Sequence, residues 1–341
     1  MTRALRSAAA LLALVPCACT YQTYQSAFGG AAVEDDQFRA LFWIFFAICG
    51  FMYALVLAFL VAGLVRRRRA GEANDVENGR HRETSPLLRS GLIVWTALIG
   101  IGLIALAITS FFADRSMAQA AAHEKLAITV TANQWWWDVQ YQASDPSQMI
   151  RTANELHVPV GVPVRIILRS NDVIHSFWVP SLAGKQDLIP GRENDISFTP
   201  KKIGIYRGQC AEFCGVQHAH MALVVNVDSH AGFIKWWTRQ LQSAPPPSTP
   251  LSRAGYTLVT TGQCALCHAI AGTPAGGNVG PDLTHIAGRR TIAAGTLPMS
   301  AGNLYGWVAN PQAVKPGTKM PPVGLEPGEL HAVVAYLETL K

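Results

Sequence analysis

Two long uncharged runs constrain this chain more than any other feature. Leu41 to Val65 spans 25 residues without a charge, and Gly91 to Ala113 spans 23. Each exceeds the ~20 residues needed to cross a bilayer's hydrocarbon core. Core helices of water-soluble proteins are rarely so long and apolar all round. We therefore read transmembrane helices at 38–65 and 91–113. The loop between them, 66–90, holds Arg66 to Arg69, Arg80, Arg82 and Arg89. The positive-inside rule places such a short basic loop in the cytoplasm and everything after Asp114 on the outer face. Only 15% of the chain is charged, against about 25% in typical soluble domains. The net charge of +6 is scattered. Its only dense run abuts a span, so it does not point to nucleic acid.

The N-terminus carries Arg3 and Arg6, then an apolar run from Ala8 to Val15. This is the pattern of a secretory signal over 1–20. Cys17 and Cys19 each half-match a lipoprotein cleavage site. Lipidation at one of them, simple cleavage and retention all stay open.

The outer part divides in two. Residues 114–242 hold alternating segments such as 128–131, 164–168 and 223–227, broken by Gly, Pro and Asn. Such short runs indicate a β-sandwich or barrel. Phe233 to Leu241 is expected to form a short closing helix. A Pro-rich linker follows at 243–251 and acts as a semi-rigid spacer. Residues 252–341, with Gly-rich loops and short helical patterns, form a separate domain. No internal repeat is visible.

Cys264-Ala265-Leu266-Cys267-His268 is a C-x-x-C-H motif, the mark of covalent c-type haem. Cys264 and Cys267 would add to the haem vinyls, and His268 would lie beneath the iron. The competing zinc reading lacks a second Cys pair. The sixth ligand should be a soft sulfur or another His. Met320 in Lys315-Pro-Gly-Thr-Lys-Met-Pro-Pro322 is favoured over Met299. His285 and His331 have no supporting pattern and are read as solvated. The Gly280-Pro281-Asp282-Leu283 turn should offer a carbonyl to the His268 ring.

A second cluster runs from Cys210 through Glu212, Cys214 and His218 to Met221, with a distant His175. Two thiolates, imidazole and thioether form a soft set that suits copper. A single blue-copper site needs only one Cys, so the second Cys points to two bridged coppers. A Cys210–Cys214 disulfide and a zinc site of two Cys and two His remain open. His220 is read as exposed or hydrogen-bonded. His123, His157 and His230 are read as surface residues, and Cys49 as apolar packing within the first span.

On these residues, with Gln134-Trp135-Trp136-Trp137, Asp172-Val-Ile-His-Ser and Ile189-Pro-Gly-Arg192, the region 38–240 resembles cytochrome c oxidase subunit II. Residues 251–341 resemble a class I cytochrome c. Together they resemble the fused subunit II of caa-type oxidases. The resemblance implies a cupredoxin β-barrel followed by an all-α cytochrome domain. It implies binuclear CuA held by His175, Cys210, the Glu212 carbonyl, Cys214, His218 and Met221. The Glu212 side chain would also reach a Mg²⁺ shared with subunit I. Which histidine pairs with Glu212, and which with Met221, stays open. Trp135 resembles the residue through which electrons enter; an interfacial or core role is the alternative for this Trp run.

The implied function is electron transfer from an external donor through haem c and CuA to subunit I, where O₂ is reduced to water with proton pumping. Subunit I, and also subunit III, would be partners in a bacterial inner membrane, with both metal domains on the periplasmic face. Two departures stand out. A Glu that often serves the K-pathway is Leu92 here, so Glu83 or subunit I must supply that input. The copper domain also lacks an acidic docking excess, with 12 basic and 11 acidic residues over 114–242. A tethered donor needs less steering, because the linker sets a high effective concentration. Other readings are a CuA nitric oxide reductase subunit, a quinol oxidase subunit (which would lack the copper ligands) and a membrane-tethered copper-binding protein that is no enzyme.

Overall fold

The computed structural model describes residues 25–69, 86–121 and 126–341. The signal reading at 1–20, Cys17, Cys19, Glu83, His123 and most of the basic loop lie outside the described residues.

Two helices come first, α1 (Val33–Arg69) and α2 (Pro86–Ala121). Both are long and apolar enough to cross a membrane. Phe46, Phe59, Leu60, Ile93, Ile101 and Phe111 are all exposed along them. At about 25 cal/mol per Å² of apolar area, these faces require hydrocarbon rather than water. The Phe59 and Trp95 rings meet edge to face at 6.2 Å. A Cβ on Gly102 would lie 3.8 Å from Ile48, so the pair runs antiparallel. Cys49 is exposed rather than packed. Both helices outrun the expected spans. No Gly or Pro follows Gly102 before 121, and Ala, Met, Gln and Arg sustain helix where hydrophobicity ends. The expected domain start at 114 therefore falls inside α2.

The β-domain has ten strands. They are β1 (Leu126–Asn133), β2 (Trp136–Tyr141), β3 (Ile150–Ala153), β4 (Glu155–Pro159), β5 (Val164–Ser170), β6 (His175–Trp178), β7 (Lys185–Leu188), β8 (Asn194–Phe198), β9 (Gly204–Cys210) and β10 (Ala222–Asp228). They form two five-stranded sheets, β3-β2-β1-β5-β8 and β4-β10-β9-β6-β7. Pairing is parallel between β1 and β5 and between β10 and β4, and antiparallel elsewhere. In β5, Val164, Ile166 and Leu168 point into the core while Arg165 and Arg169 do not. This period of two is what a half-buried strand dictates. β10 departs from it, being buried from Ala222 through Val227, because the following domain covers its second face. Helix α3 (His230–Gln240) then closes the β-domain, capped by Ser229 and burying Phe233 and Trp236.

An unforeseen piece belongs to the same core. Ala31 and Ala32 are buried, Ala32 bridges Pro200, and the Glu34 carboxylate accepts from Thr199 N at 2.8 Å.

The last domain begins with α4 (Pro250–Thr261), where Thr249 and Ser252 form a capping box and Pro250 takes the first turn. It continues through a two-stranded pair, β11 (Thr291–Ile292) and β12 (Leu297–Pro298), then α5 (Ala301–Ala309), α6 (Pro311–Val314) and α7 (Pro327–Leu337). Helices α4 and α7 cross very closely. A Cβ on Gly255 would fall 1.9 Å from the Ala332 carbonyl oxygen, so only glycine fits there.

Candidate metal centre and haem site

β6 and β9 are antiparallel neighbours with Phe177 opposite Cys210. His175 therefore starts one strand beside the point where Cys210 ends the other. The loop from Cys210 is closed by Cys210 N donating to the Met221 carbonyl at 2.9 Å and Ala211 N to that of Ser176 at 3.0 Å. Sequence-distant groups thus converge. The two sulfurs are 3.7 Å apart and unbonded. His175 Nδ1 lies 3.8 Å from Cys210 Sγ, and His218 Nδ1 lies 3.7 Å from Cys214 Sγ. Met221 Sδ is 3.9 Å from Cys214 Sγ, and the Glu212 carbonyl oxygen is 3.2 Å from Cys210 Sγ. His175, Cys210 and Cys214 form the one cluster of ligand-type side chains found among the described residues, with donor atoms within 4.8 Å of one another.

The donor set fits metal rather than protons. Contact with Cys214 and His175 holds the Cys210 thiol far below its ordinary range, while the thiolate beside it and burial push Cys214 up. One proton leaves easily and the second does not. Cationic metal is what lets both sulfurs be thiolates at once.

Around this core sits a supporting layer. Asp172 Oδ1 accepts from His175 Nε2 at 2.9 Å, which leaves Nδ1 facing the sulfurs as a ligand lone pair. Asp172 also accepts from Gln134 N at 2.7 Å, Val173 N at 2.9 Å and Lys319 Nζ at 3.1 Å. Burial alone would raise its pKa, but these four donors together lower it. Trp137 is fully buried against His175 and Phe177. Gln134 Nε2 and Trp135 Nε1 both donate to the Cys214 carbonyl, at 2.8 and 2.9 Å. Gly215 (φ +116°) is required beneath them, since a Cβ there would be 2.9 Å from the Trp135 indole. Trp135 itself is only 8% exposed. Trp135 and Trp137 thus belong to the β-domain core, as the core alternative has it, while Trp136 is half-buried. The Glu212 side chain is exposed, and His220 is exposed with Nδ1 on the Gln217 amide oxygen at 2.8 Å.

The C-x-x-C-H segment lies at a short 3₁₀ turn, Gln263–Leu266, after α4. His268 is held by its Nδ1–H donating to the Pro281 carbonyl at 2.7 Å. This fixes the tautomer and frees Nε2, and burial lowers the ring's pKa, keeping it neutral as a ligand must be. Gly280 is the floor under this ring, because a Cβ there would meet Cε1 at 2.8 Å. Cys264 and Cys267 are unpaired and half-buried. These residues fit a covalently attached haem. Met320 sits in a loop clamped by Gln312, whose Nε2 donates to the Thr318 and Met320 carbonyls at 2.7 and 3.0 Å and whose Oε1 accepts from Gly317 N at 2.9 Å. Met299 instead packs against the domain core.

Two histidine expectations are corrected and a third holds. His285 is buried, with both ring nitrogens against backbone carbonyls of Lys341 and Gln242. His157 is not a free surface residue. It stacks on Trp236 at 4.4 Å and bonds Asp228 and Glu155 at 2.7 and 3.2 Å. Its lack of any clustered partner in sequence suggested a surface residue, but α3 and the last domain cover it. His331 is exposed, as expected.

A sulfur-rich site on a cupredoxin-type sandwich, a c-type cytochrome domain and a two-helix anchor define a membrane-anchored redox subunit. Residues 142–228 match the family model for the periplasmic domain of cytochrome c oxidase subunit II, and 252–341 that of cytochrome c. Among curated proteins, cytochrome c oxidase subunit 2 of Alkalihalophilus pseudofirmus is 32% identical over 73% of this chain and 72% of its own length. That of Bacillus sp. strain PS3 is 32% identical over 81% and 80%. Among solved structures, the periplasmic domain of cytochrome oxidase subunit II from Bradyrhizobium japonicum is 31% identical over 34% of this chain and 94% of its own, with a TM-score of 0.32.

The chain belongs to the cytochrome c oxidase subunit 2 family, in a form that carries its own cytochrome c domain. It is a membrane-anchored component of a haem–copper oxidase, associated with subunit I, with a periplasmic domain.

Proposed function

We propose that this chain takes electrons from an external donor and delivers them to subunit I, where O₂ is reduced to water with proton pumping, the haem c and binuclear CuA it binds supplying one-electron transfer. Its own residues bind, orient and insulate these groups. In this reading His175, Cys210, Cys214, His218, Met221 and the Glu212 carbonyl hold the copper pair. Cys264 and Cys267 attach the haem, with His268 and Met320 as axial ligands. The exposed Glu212 carboxylate would face subunit I and contribute to a shared Mg²⁺. Subunit III and a soluble or membrane cytochrome c or other electron donor are further partners, and the location is a bacterial inner membrane.

The observation that carries this reading is the meeting of His175, Cys210 and Cys214 within 4.8 Å on a chain that also holds the C-x-x-C-H domain. Two close thiols with an imidazole beside them support a metal site, and a second Cys is what one blue copper would not need. The test is the copper-to-iron ratio and EPR spectrum of the purified full-length chain in its oxidase. Two coppers per haem c in this subunit, with one unpaired electron shared over both, are expected. Cys214→Ser should abolish that signal and oxidase turnover while leaving the haem c spectrum. Normal oxidation of reduced cytochrome by that variant would sink the relay.

A further inference from the structure

Lys315 is 2% exposed, yet among the described residues it pairs with no carboxylate. Its ammonium donates to three backbone carbonyls, those of Trp135 at 2.8 Å, His220 at 2.8 Å and Ala293 at 3.2 Å. Two of these acceptors belong to the β-domain and one to the cytochrome domain. An ammonium has three donors and no acceptor, so the three carbonyls satisfy it completely. A buried cation without such partners is strongly disfavoured.

Everything around Lys315 is interface. Gln217 Nε2 donates to the Pro316 carbonyl at 2.7 Å, and Lys319 bonds Asp172. Ala222 N, at the start of β10, donates to the Ala294 carbonyl at 2.9 Å. Ala293, Ala294 and Gly295 all have positive φ, of 52°, 56° and 79°. Non-glycine residues hold such backbone only where surroundings impose it. Here the imposed shape aims two carbonyls at Ala222 and Lys315. A Cβ on Gly317 would stand 3.1 Å from Val216 and 3.8 Å from the Trp135 ring, so the loop before Met320 lies over the indole that holds Cys214.

We propose that Lys315 is a docking pin, a positioning residue that sets one register of the cytochrome domain on the Trp135 face of the β-domain and closes that face to any external partner. The inference rests on reading the Cys210–Met221 loop as the copper centre. The pin works through specificity more than stability. Buried charges add little net stability, but removing their partners is costly. Any shifted docking strands a cation away from its acceptors. Electrons from outside must then arrive through the cytochrome domain, which explains how a β-domain without an acidic excess serves as an acceptor.

The test uses the full chain in its oxidase. Amine acetylation of the parent protein should modify Lys315 at least ~10-fold more slowly than exposed Lys235, as expected when reaction needs local opening. Acetylation needs the amine to reach solvent, so slow labelling reports exclusion. Lys315→Met should keep the haem and copper spectra but speed hydrogen exchange at the Ala222 amide by ~10-fold or more. Labelling of Lys315 as fast as Lys235, or unchanged exchange at Ala222 in the variant, would overturn the pin. If Lys315→Met does not assemble, the labelling result alone decides. The EPR spectrum of the same parent sample separates the two claims: a missing copper signal refutes the copper reading, whereas a normal signal with fast labelling refutes only the pin.

Discussion

Asp172→Asn would replace a carboxylate that receives four donors and nothing else. Oδ1 serves Val173 N and His175 Nε2, and Oδ2 serves Gln134 N and Lys319 Nζ. An asparagine has one acceptor oxygen. Whichever way the amide turns, its NH₂ faces two N–H groups, and two bonds are lost. Hydrogen bonds to charged groups are worth about 1.5–3 kcal/mol each. The Asp172 side chain is 16% exposed and one donor, Lys319, is 62% exposed, so that contact adds little. One turn loses the Val173 and His175 bonds and the other the Gln134 and Lys319 bonds, so His175 either loses its acceptor or keeps only a neutral one, roughly 2 kcal/mol after screening. Loss of a group that orients a metal-binding histidine typically lowers metal affinity about 10–100-fold. We expect a fall in that range when the metal-free full-length protein is titrated with copper against a competing chelator. The haem spectrum should not change, because no haem residue touches Asp172 except through exposed Lys319. Copper affinity within about twofold of the parent would refute the idea that Asp172 holds His175 for metal.

Two further outcomes concern the haem-side histidine and the buried His157 cluster. Gly280→Ala would drive a methyl to within 2.8 Å of His268 Cε1 and 3.0 Å of Nδ1, and a ring backed by the Pro281 carbonyl has no room to retreat. Overpacking of this kind costs about 1–3 kcal/mol, so the variant should show weakened histidine ligation in its absorption spectrum and a lower haem-domain unfolding midpoint; an unchanged spectrum and midpoint would refute the tight floor. Stability should also fall as pH rises past neutrality. Burial lowers the His157 pKa, but its bonds to Asp228 and Glu155 outweigh this and raise it above 6.5. That contribution is full below 6.5 and is lost as pH climbs through the raised value. Glu155 is opposite: burial raises it, but His157 and the Arg290 amide bring it below 4.5, so its contribution is lost only in acid. Thermal unfolding of the parent and of His157→Gln should therefore converge above neutral pH, and parallel pH profiles would refute the assignment.

Much of the site was readable because its chemistry sits in short strings. Cys264, Cys267 and His268 are adjacent in sequence, and Cys210 to Met221 span one loop, so residue type and spacing expose them. Asp172 was also within reach, three residues before His175, although its spacing alone does not reveal four donors. Lys315, Gln217 and Ala293 gave no signal. Their partners are far away in the chain, and a lysine before a Pro-Gly turn looks solvated. His157 and His285 belong to no motif or cluster in the sequence, and that absence does not tell whether another element covers them.

The amino-acid order by itself determined the two apolar spans and the two domain types, and it displayed both candidate ligand sets. These depend on hydrophobic run length, turn residues and ligand type, which are local properties. Only the tertiary structure decided that His175 stands beside Cys210, because antiparallel pairing of β6 with β9 brings together positions 35 apart. It likewise decided that Trp135 is a sealed contact beneath the cytochrome domain. Burial belongs to surfaces that meet after folding, and the chain on its own does not display which of its surfaces will meet.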